Sequence, residues 1–297
     1  MTLRGLFVGL TTIDIHYGVD TFPASNAKTV AGAFVMTVGG PATNAAISFA
    51  HLGGESHLLS AIGRHPFTSF IEHELHPYHV EVADLSPAAT QLPTISSIVT
   101  TQGGQRTVIT TRSSPTSDIR DATWIAHPDD YDVVLVDGFQ MDTCCRVAWQ
   151  ARQCELPVVL DGGSWKEGME RLFPCVDIAI CSEQFRVPDG GDEGAVLAYL
   201  ARQSVRYRAI TRGERPIIYD TPESTGEIAI EPVEVVDTLG AGDILHGAFC
   251  RYYAEGNQFV AALQQASRVA TLSCRTFGTR AWMERGSKDI LSPIGED

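Results

Sequence analysis

Val236-Asp237-Thr238-Leu239-Gly240-Ala241-Gly242-Asp243-Ile244-Leu245-His246-Gly247 is a place where an extended approach turns into a helix. Residues 227–230 and 233–236 are β-prone and lead into it. After it, Ile244, Leu245, Ala248, Phe249 and Tyr252 recur at the spacing of one apolar helical face. Gly240 and Gly242 let the backbone bend between the two without a Cβ clash. The first amides of the helix then point out of the bend, with the positive end of the helix dipole behind them, and form an anion site. Asp243 falls in that first turn. Beside anion-binding amides, a carboxylate can take a proton from a nucleophile while the amides hold the charge of the group under attack. An Asp in a first turn is equally an ordinary cap or dipole partner.

On the N-terminal side of this bend the chain alternates between two patterns. Residues 132–138, 157–163, 176–183 and 207–213 are continuous apolar runs ending in Asp, Gly, Ser, Thr or Glu, as expected of strands covered on both faces. Residues 139–156 and 192–206 read as helices between them. Residues 6–10 and 57–62 give two more strands. Gly39-Gly40-Pro41-Ala42-Thr43-Asn44 opens a helix rich in Ala and Ser that stops at Gly53-Gly54. The pattern predicts an α/β fold: a doubly wound, mostly parallel sheet with helices on both faces. Asp14 follows the first run and is placed at its carboxyl end, where parallel sheets carry ligands. Residues 20–40 look like short β-segments without a helix. Residues 94–101 and 106–111 flank Gln102-Gly103-Gly104-Gln105, a hairpin signal. Together these segments, roughly 15–38 and 92–112, predict a small second sheet within a single domain spanning 1–297. The helix after the bend ends at Gly256, and Asn257 is expected to cap the next one. The tail beyond Glu284 reads as loosely held.

The formal net charge of −14 argues against a nucleic-acid surface, which needs a basic stripe. No apolar run is long enough for a bilayer, and no signal-peptide pattern opens the chain. The seven cysteines form no C-x-x-C pair and read as free thiols, so the expected location is cytoplasmic. His51, His57, His65, His73, His76 and His79 match no metal spacing. There is no Walker-type loop, no G-x-G-x-x-G after the first strand and no G-x-S-x-G elbow.

The run from Asp237 to Asp243, D-T-x-G-A-G-D, resembles the second signature of the PfkB (ribokinase-like) family of carbohydrate and nucleoside kinases at each defining position. Gly39, Gly40 and Asn44 match the family's G-G followed by Asn, and the resemblance runs from Asp14 to Gly278. It implies a ribokinase-like fold whose small sheet is a lid over the sugar and a homodimer interface. ATP and Mg2+ are the implied cofactors. By the same likeness Asp243 is the general base for a primary hydroxyl attacking the γ-phosphate, and the amides of Gly240, Ala241 and Gly242 hold the phosphoryl charge. Arg106 resembles an arginine of the ketohexokinase-like branch near the transferred phosphate, with Arg112 a weaker candidate. Asp14, Asn26, Gly39, Gly40 and Asn44 would hold the sugar, Asn26 standing where that branch has an acidic ligand.

On the nucleotide side the likeness implies Ser182, Thr211, Gly213, Thr238, Gly240 and Gly242, with Cys274 and Gly278 beside the adenine. Glu183 is the implied metal residue. Two stretches depart from the family. Ser182-Glu183-Gln184-Phe185 stands where Asn-Glu-x-Glu is usual. Gly63-Arg64-His65 replaces Gly-Asp-Asp, which weakens assignment to the ribokinase or fructokinase branches and points to a reshaped pocket for a more anionic substrate. A nucleoside kinase and a non-catalytic sugar- or nucleotide-binding protein are the rival readings.

Overall fold

The computed structural model describes residues 2–111, 124 and 127–284. Strand β1 (Arg4–Val8) is followed by β2 (Thr12–Val19), β3 (Ala33–Gly39) and helix α1 (Pro41–His51). Next come β4 (Glu55–Ser60), α2 (Thr68–Leu75), β5 (Val80–Asp84), β6 (Thr94–Thr101) and β7 (Arg106–Thr110). Strand–helix alternation then runs through β8 (Val133–Val136), α3 (Met141–Gln153), β9 (Val158–Gly162), β10 (Ile178–Ser182), α4 (Glu193–Arg202) and β11 (Tyr207–Arg212), with no α-helix between β9 and β10. β12 (Arg215–Asp220), β13 (Thr225–Ile228), α5 (Ala241–Ala254) and α6 (Phe259–Ser273) complete the described chain.

The main sheet has the order β13-β12-β11-β10-β9-β8-β1-β4-β5. From β5 to β11 every pairing is parallel, and β12 and β13 close one edge antiparallel. Both faces are covered. Phe7 points into a core shared with α1, α2, α5 and α6, whereas Leu6 and Val8 point into a core shared with α3 and α4. That is the period-2 alternation of a strand buried on each side. The strand order reverses at β1, which lies between β4 and β8; such a switch point opens a crevice beyond the carboxyl ends of the strands.

The predicted small sheet is present, in the order β3-β2-β6-β7. Gly103 (φ 88°) and Gly104 (φ 77°) make its hairpin turn. In β2, Thr12, Asp14 and His16 share one face, which is buried toward the main body. Ile15 and Tyr17 share the other, beside Met36 and Phe34 across the β2–β3 pairing.

Three local expectations are corrected. Asp14 is not at the end of β1: Gly9, Leu10 and Thr11 intervene, and Asp14 lies inside β2 of the small sheet. Residues 233–236 are not a strand. They run extended against the end of α6, with the Val236 and Asp237 amides donating to Cys274 O at 2.8 and 3.2 Å. Finally, Gln258 rather than Asn257 is the residue at the start of α6, and Asn257 instead donates to Tyr252 O at 2.8 Å. Arg112 and the tail beyond Glu284 lie outside the described residues.

Candidate active site

Two helices build the centre of the site. The small residues of α1 let α5 approach closely: a Cβ on Gly247 would stand 2.2 Å from Ala45 O and 2.8 Å from Ser48 Cβ. That close crossing brings the first turn of α1 beside the first turn of α5. Gly240 caps α5 with φ 70°, a left-handed conformation natural to glycine. Ala241 N donates to Thr238 O at 3.3 Å, and Ile244 N donates to Gly240 O at 2.8 Å. The open donors of the bend are therefore Gly240, Gly242 and Asp243, whose amides have no acceptor among the described residues. This modifies the expected trio of Gly240, Ala241 and Gly242 by one residue.

Asp243 is half-buried at this bend, and its Oδ2 accepts from Asn44 Nδ2 at 2.7 Å. Its carboxyl is pushed up to about 7, first by burial and then by Asp161, with Asp14 adding to the rise. The Asn44 hydrogen bond and His246 work against it. On its other side Asn44 Oδ1 accepts from Arg280 Nη2 at 2.9 Å. The same nitrogen donates to Val38 O at 2.8 Å, and Nη1 donates to Thr279 Oγ1 at 2.9 Å.

Asp14 faces this group from the small sheet. Its Oδ1 accepts from Thr12 Oγ1 at 2.7 Å, and its Oδ2 lies 1.9 Å from where a Cβ on Gly39 would stand. Burial raises its pKa, and Arg280 partly offsets that. Gly40, at φ 101°, caps α1 directly after Gly39. Thus Asp14, Gly39, Gly40, Asn44 and Asp243 converge as expected. Asn26 does not join them: it is exposed in the loop between β2 and β3.

The small sheet reaches the bend through its hairpin. Arg106 Nη1 donates to Thr238 Oγ1, and Thr238 Oγ1 donates to Gly104 O at 3.3 Å. Asp237 ties the bend to the loop after α6, accepting from Gly278 N at 2.8 Å and from Leu239 N at 3.0 Å. Cys274 and Gly278 are therefore brought to the motif, as the carbonyl and the amide that hold its approach.

Ser182 and Thr211 are paired neighbours at the ends of β10 and β11, and Gly213 (φ 63°) turns the chain after them. Glu183 Oε2 is engaged by Arg215 Nη2 at 2.6 Å, and Arg215 also contacts Glu193 at 2.9 Å. The Gly63-Arg64-His65 loop is held by Asp84, which accepts from Ile62 and Gly63 amides at 2.9 Å each, and Arg64 is exposed.

Sequence reasoning missed several groups. Arg280 is one. Asp161 and His246 are others: Asp161 Oδ2 lies 3.4 Å from His246 Nδ1, and His246 Nε2 lies 3.0 Å from Ile180 O. Asp137, at the end of β8, accepts from Leu10 N at 2.8 Å and Ala42 N at 3.3 Å, tying the switch point to α1. Burial pushes its pKa up to about 6. A terminal Asp on a strand run was visible for Asp137 and Asp161, whereas nothing local marked Arg280. A cavity of about 420 Å3 lies on the far side of Arg280, lined by Val35, Tyr78, Phe277 and Met283. A second, of about 600 Å3, sits at the opposite end of α5 beside Arg251 and Glu255, remote from Asp243.

A carboxylate at an open helix N-terminus, with an arginine of the small sheet reaching the same bend, is an arrangement suited to phosphoryl transfer. Residues 5–285 match the model of the pfkB family carbohydrate kinases, and the chain belongs to that family, whose members phosphorylate a sugar hydroxyl. The ribokinase of Bacillus subtilis is 24% identical over 283 residues, covering 93% of this chain and 94% of that protein. A solved structure from Agrobacterium tumefaciens, provisionally assigned as a ribokinase, superposes with a TM-score of 0.83 at 26% identity, covering 98% of each chain. The Arabidopsis thaliana ribokinase, solved with ribose and ATP, has the same fold: TM-score 0.77, 19% identity, 98% of each chain.

Proposed function

We propose that the chain transfers the γ-phosphate of ATP to a primary hydroxyl of a small carbohydrate, with Asp243 as the general base. The observation that supports this is the placement of the Asp243 carboxyl in the first turn of α5, beside open amides and held by Asn44, where burial also pushes it up to about 7. A base poised near neutrality accepts the hydroxyl proton as the oxygen attacks phosphorus. The amides of Gly240, Gly242 and Asp243 face the charge that develops on the transferring group. Arg106 adds a cation from the lid side through its contact with Thr238. Asp14 and Asn44 orient the acceptor, and most of the rate comes from positioning and electrostatics.

ATP fits the open donors of the bend. A divalent ion is a different matter. Among the described residues no cluster of three or more His, Cys, Asp or Glu side chains forms a metal site, and Glu183 is already paired with Arg215. A Mg2+ that arrives with the nucleotide would be held mainly by phosphates and water, with one or two carboxylates from the protein, so it needs no such cluster.

The test is ADP release across a panel of sugars, sugar acids and nucleosides. A sugar that alone drives turnover supports the reading; turnover on nucleosides alone replaces it with a nucleoside kinase. Asp243→Asn should retain ATP binding and lose a factor of ~10²–10⁴ in kcat. Near-normal turnover in that variant would sink the mechanism.

A further inference from the structure

We infer that Arg280 is a positioning residue for the catalytic carboxylate: it fixes the amide of Asn44 in the one orientation that presents an N–H to Asp243. The inference rests on the kinase reading above and extends it to a residue that makes no hydrogen bond to the base itself.

The argument is one of donors and acceptors. A guanidinium carries donors only, and an ionised carboxylate carries acceptors only. Asn44 sits between the two, with Oδ1 2.9 Å from Arg280 Nη2 and Nδ2 2.7 Å from Asp243 Oδ2. Turning the amide over would set N–H against N–H on one side and oxygen against carboxylate on the other. Arg280 therefore leaves Asn44 a single state. In that state one Nδ2 hydrogen is spent on Asp243 and the second remains for an acceptor hydroxyl. Without Arg280, the ionised carboxylate still selects this state, but once Asp243 is protonated the amide can turn and its Oδ1 can accept from the acid O–H, so the acid form gains a hydrogen bond that Arg280 denies it.

Arg280 is itself held for this task. Val38 O fixes Nη2, Thr279 O and Oγ1 fix Nη1, and the guanidinium lies over the Tyr78 ring at 5.9 Å. Its guanidinium forms no ion pair among the described residues. A surface arginine has no need of such anchoring. The carbonyl of Val38 lies in β3, two residues before the Gly40 that caps α1. The arginine thereby clamps the end of the lid strand to the start of the helix that carries Asn44.

The groups that set the proton affinity of Asp243 come from every element around it. Asp161 stands at the end of β9, His246 one turn along α5, Asp14 on β2, Asn44 on α1 and Arg280 after α6. Burial, Asp161 and Asp14 favour the protonated acid, and the Asn44 hydrogen bond and His246 favour the base. That added hydrogen bond to the acid form must move the Asp243 titration to higher pH, by about one unit if the bond has the usual net strength.

The experiment reads that titration directly, by 13C NMR of the aspartate carboxyls in the full chain, with Asp243→Asn assigning the resonance. It needs no turnover, so it stands even if no acceptor is found and the kinase reading fails. Arg280→Met should move the Asp243 midpoint alkaline by about one unit. Arg280→Lys keeps the charge but replaces the planar fork with a single ammonium, and should move it the same way by less. In an Asn44→Ala background, Arg280→Met should add little, because its route is gone. Where an acceptor is known, the acid limb of kcat should shift with the NMR midpoint, a change that loss of fold stability alone does not cause. An unmoved midpoint in both Met and Lys variants overturns the inference. So does an equal Arg280→Met shift with and without Asn44, which would mean that the arginine acts as a bare charge. If Arg280→Met does not fold, the Lys variant carries the test alone, and its unmoved midpoint is decisive.

Discussion

In the proposed mechanism Asp243 is held in a compromise. Buried enough to bind its proton up to about pH 7, it is open enough to meet a substrate. The free acid cannot act as a base, so kcat should fall below about pH 7 as Asp243 takes up a proton, with the acid limb absent from Asp243→Asn. The same shift has a cost in stability. Its folded pKa lies above the ordinary value of 3.8, so the folded state holds more protons and the contribution of this group to stability falls as pH rises from about 4 to 7. Asp243→Asn should therefore raise the melting temperature more at pH 8 than at pH 5, a comparison that calorimetry at the two pH values makes. An equal change at both would show that the carboxylate is not strained by its site. At this scale the sequence was informative only where a residue belonged to a local pattern. Asp243 stood in a seven-residue motif. Arg280 meets Asn44 across 236 positions, and nothing near it in the chain announced that contact.

At the level of elements, the helix starts carry the site. α1 and α5 begin side by side because Gly247 allows a crossing that any side chain would block. Gly240 is the more sensitive position. It sits at φ 70°, and an added Cβ would stand 2.7 Å from Thr279 Cγ2 and 3.5 Å from Asn44 Nδ2. Gly240→Ala is expected to cost about 1–2 kcal/mol from the left-handed backbone alone. Urea denaturation measures that loss, and turnover should drop further because the bend and Asn44 are both displaced. The four long apolar strands of the second half were legible in the sequence, since a strand covered on both faces leaves an uninterrupted run. The strand–helix approach to the bend was not. Residues 233–236 have β-branched side chains, but their partner is the carbonyl of Cys274 rather than a neighbouring strand, so propensity lost to a tertiary contact. Asp14 was misplaced for a related reason: three residues suffice to pass from one sheet to the other, too few to leave a mark in composition.

The whole molecule presents one feature that a single chain does not use. The outer face of the small sheet carries Phe34, with Met36 beside it, on one edge strand and Ile109 on the other, Phe34 and Ile109 being 60% and 71% exposed. Tyr17 packs its ring on Phe34 at 5.4 Å. Exposed large apolar side chains gathered on one uncovered sheet face are characteristic of an association surface. The lid is therefore proposed as the contact between two copies. Ile109→Glu together with Phe34→Glu should yield monomers in sedimentation velocity while the wild type sediments as a dimer. A wild-type monomer at micromolar concentration would refute this. Among the described residues no helix is long and apolar enough to cross a membrane.

The short joints on either side of β2 and β3 have a mechanical meaning. Gly9, Leu10 and Thr11 link β1 to β2, and β3 runs through Gly39 into the cap of α1. Asp14 lies on the small sheet, while Asn44 and Asp243 belong to the two helices behind. Any swing of the cover would pull one of the grips away from a bound sugar and leave the other in place. Uncovering the substrate and loosening the hold on it would then be a single event, and a product could depart without a separate step to unfasten it.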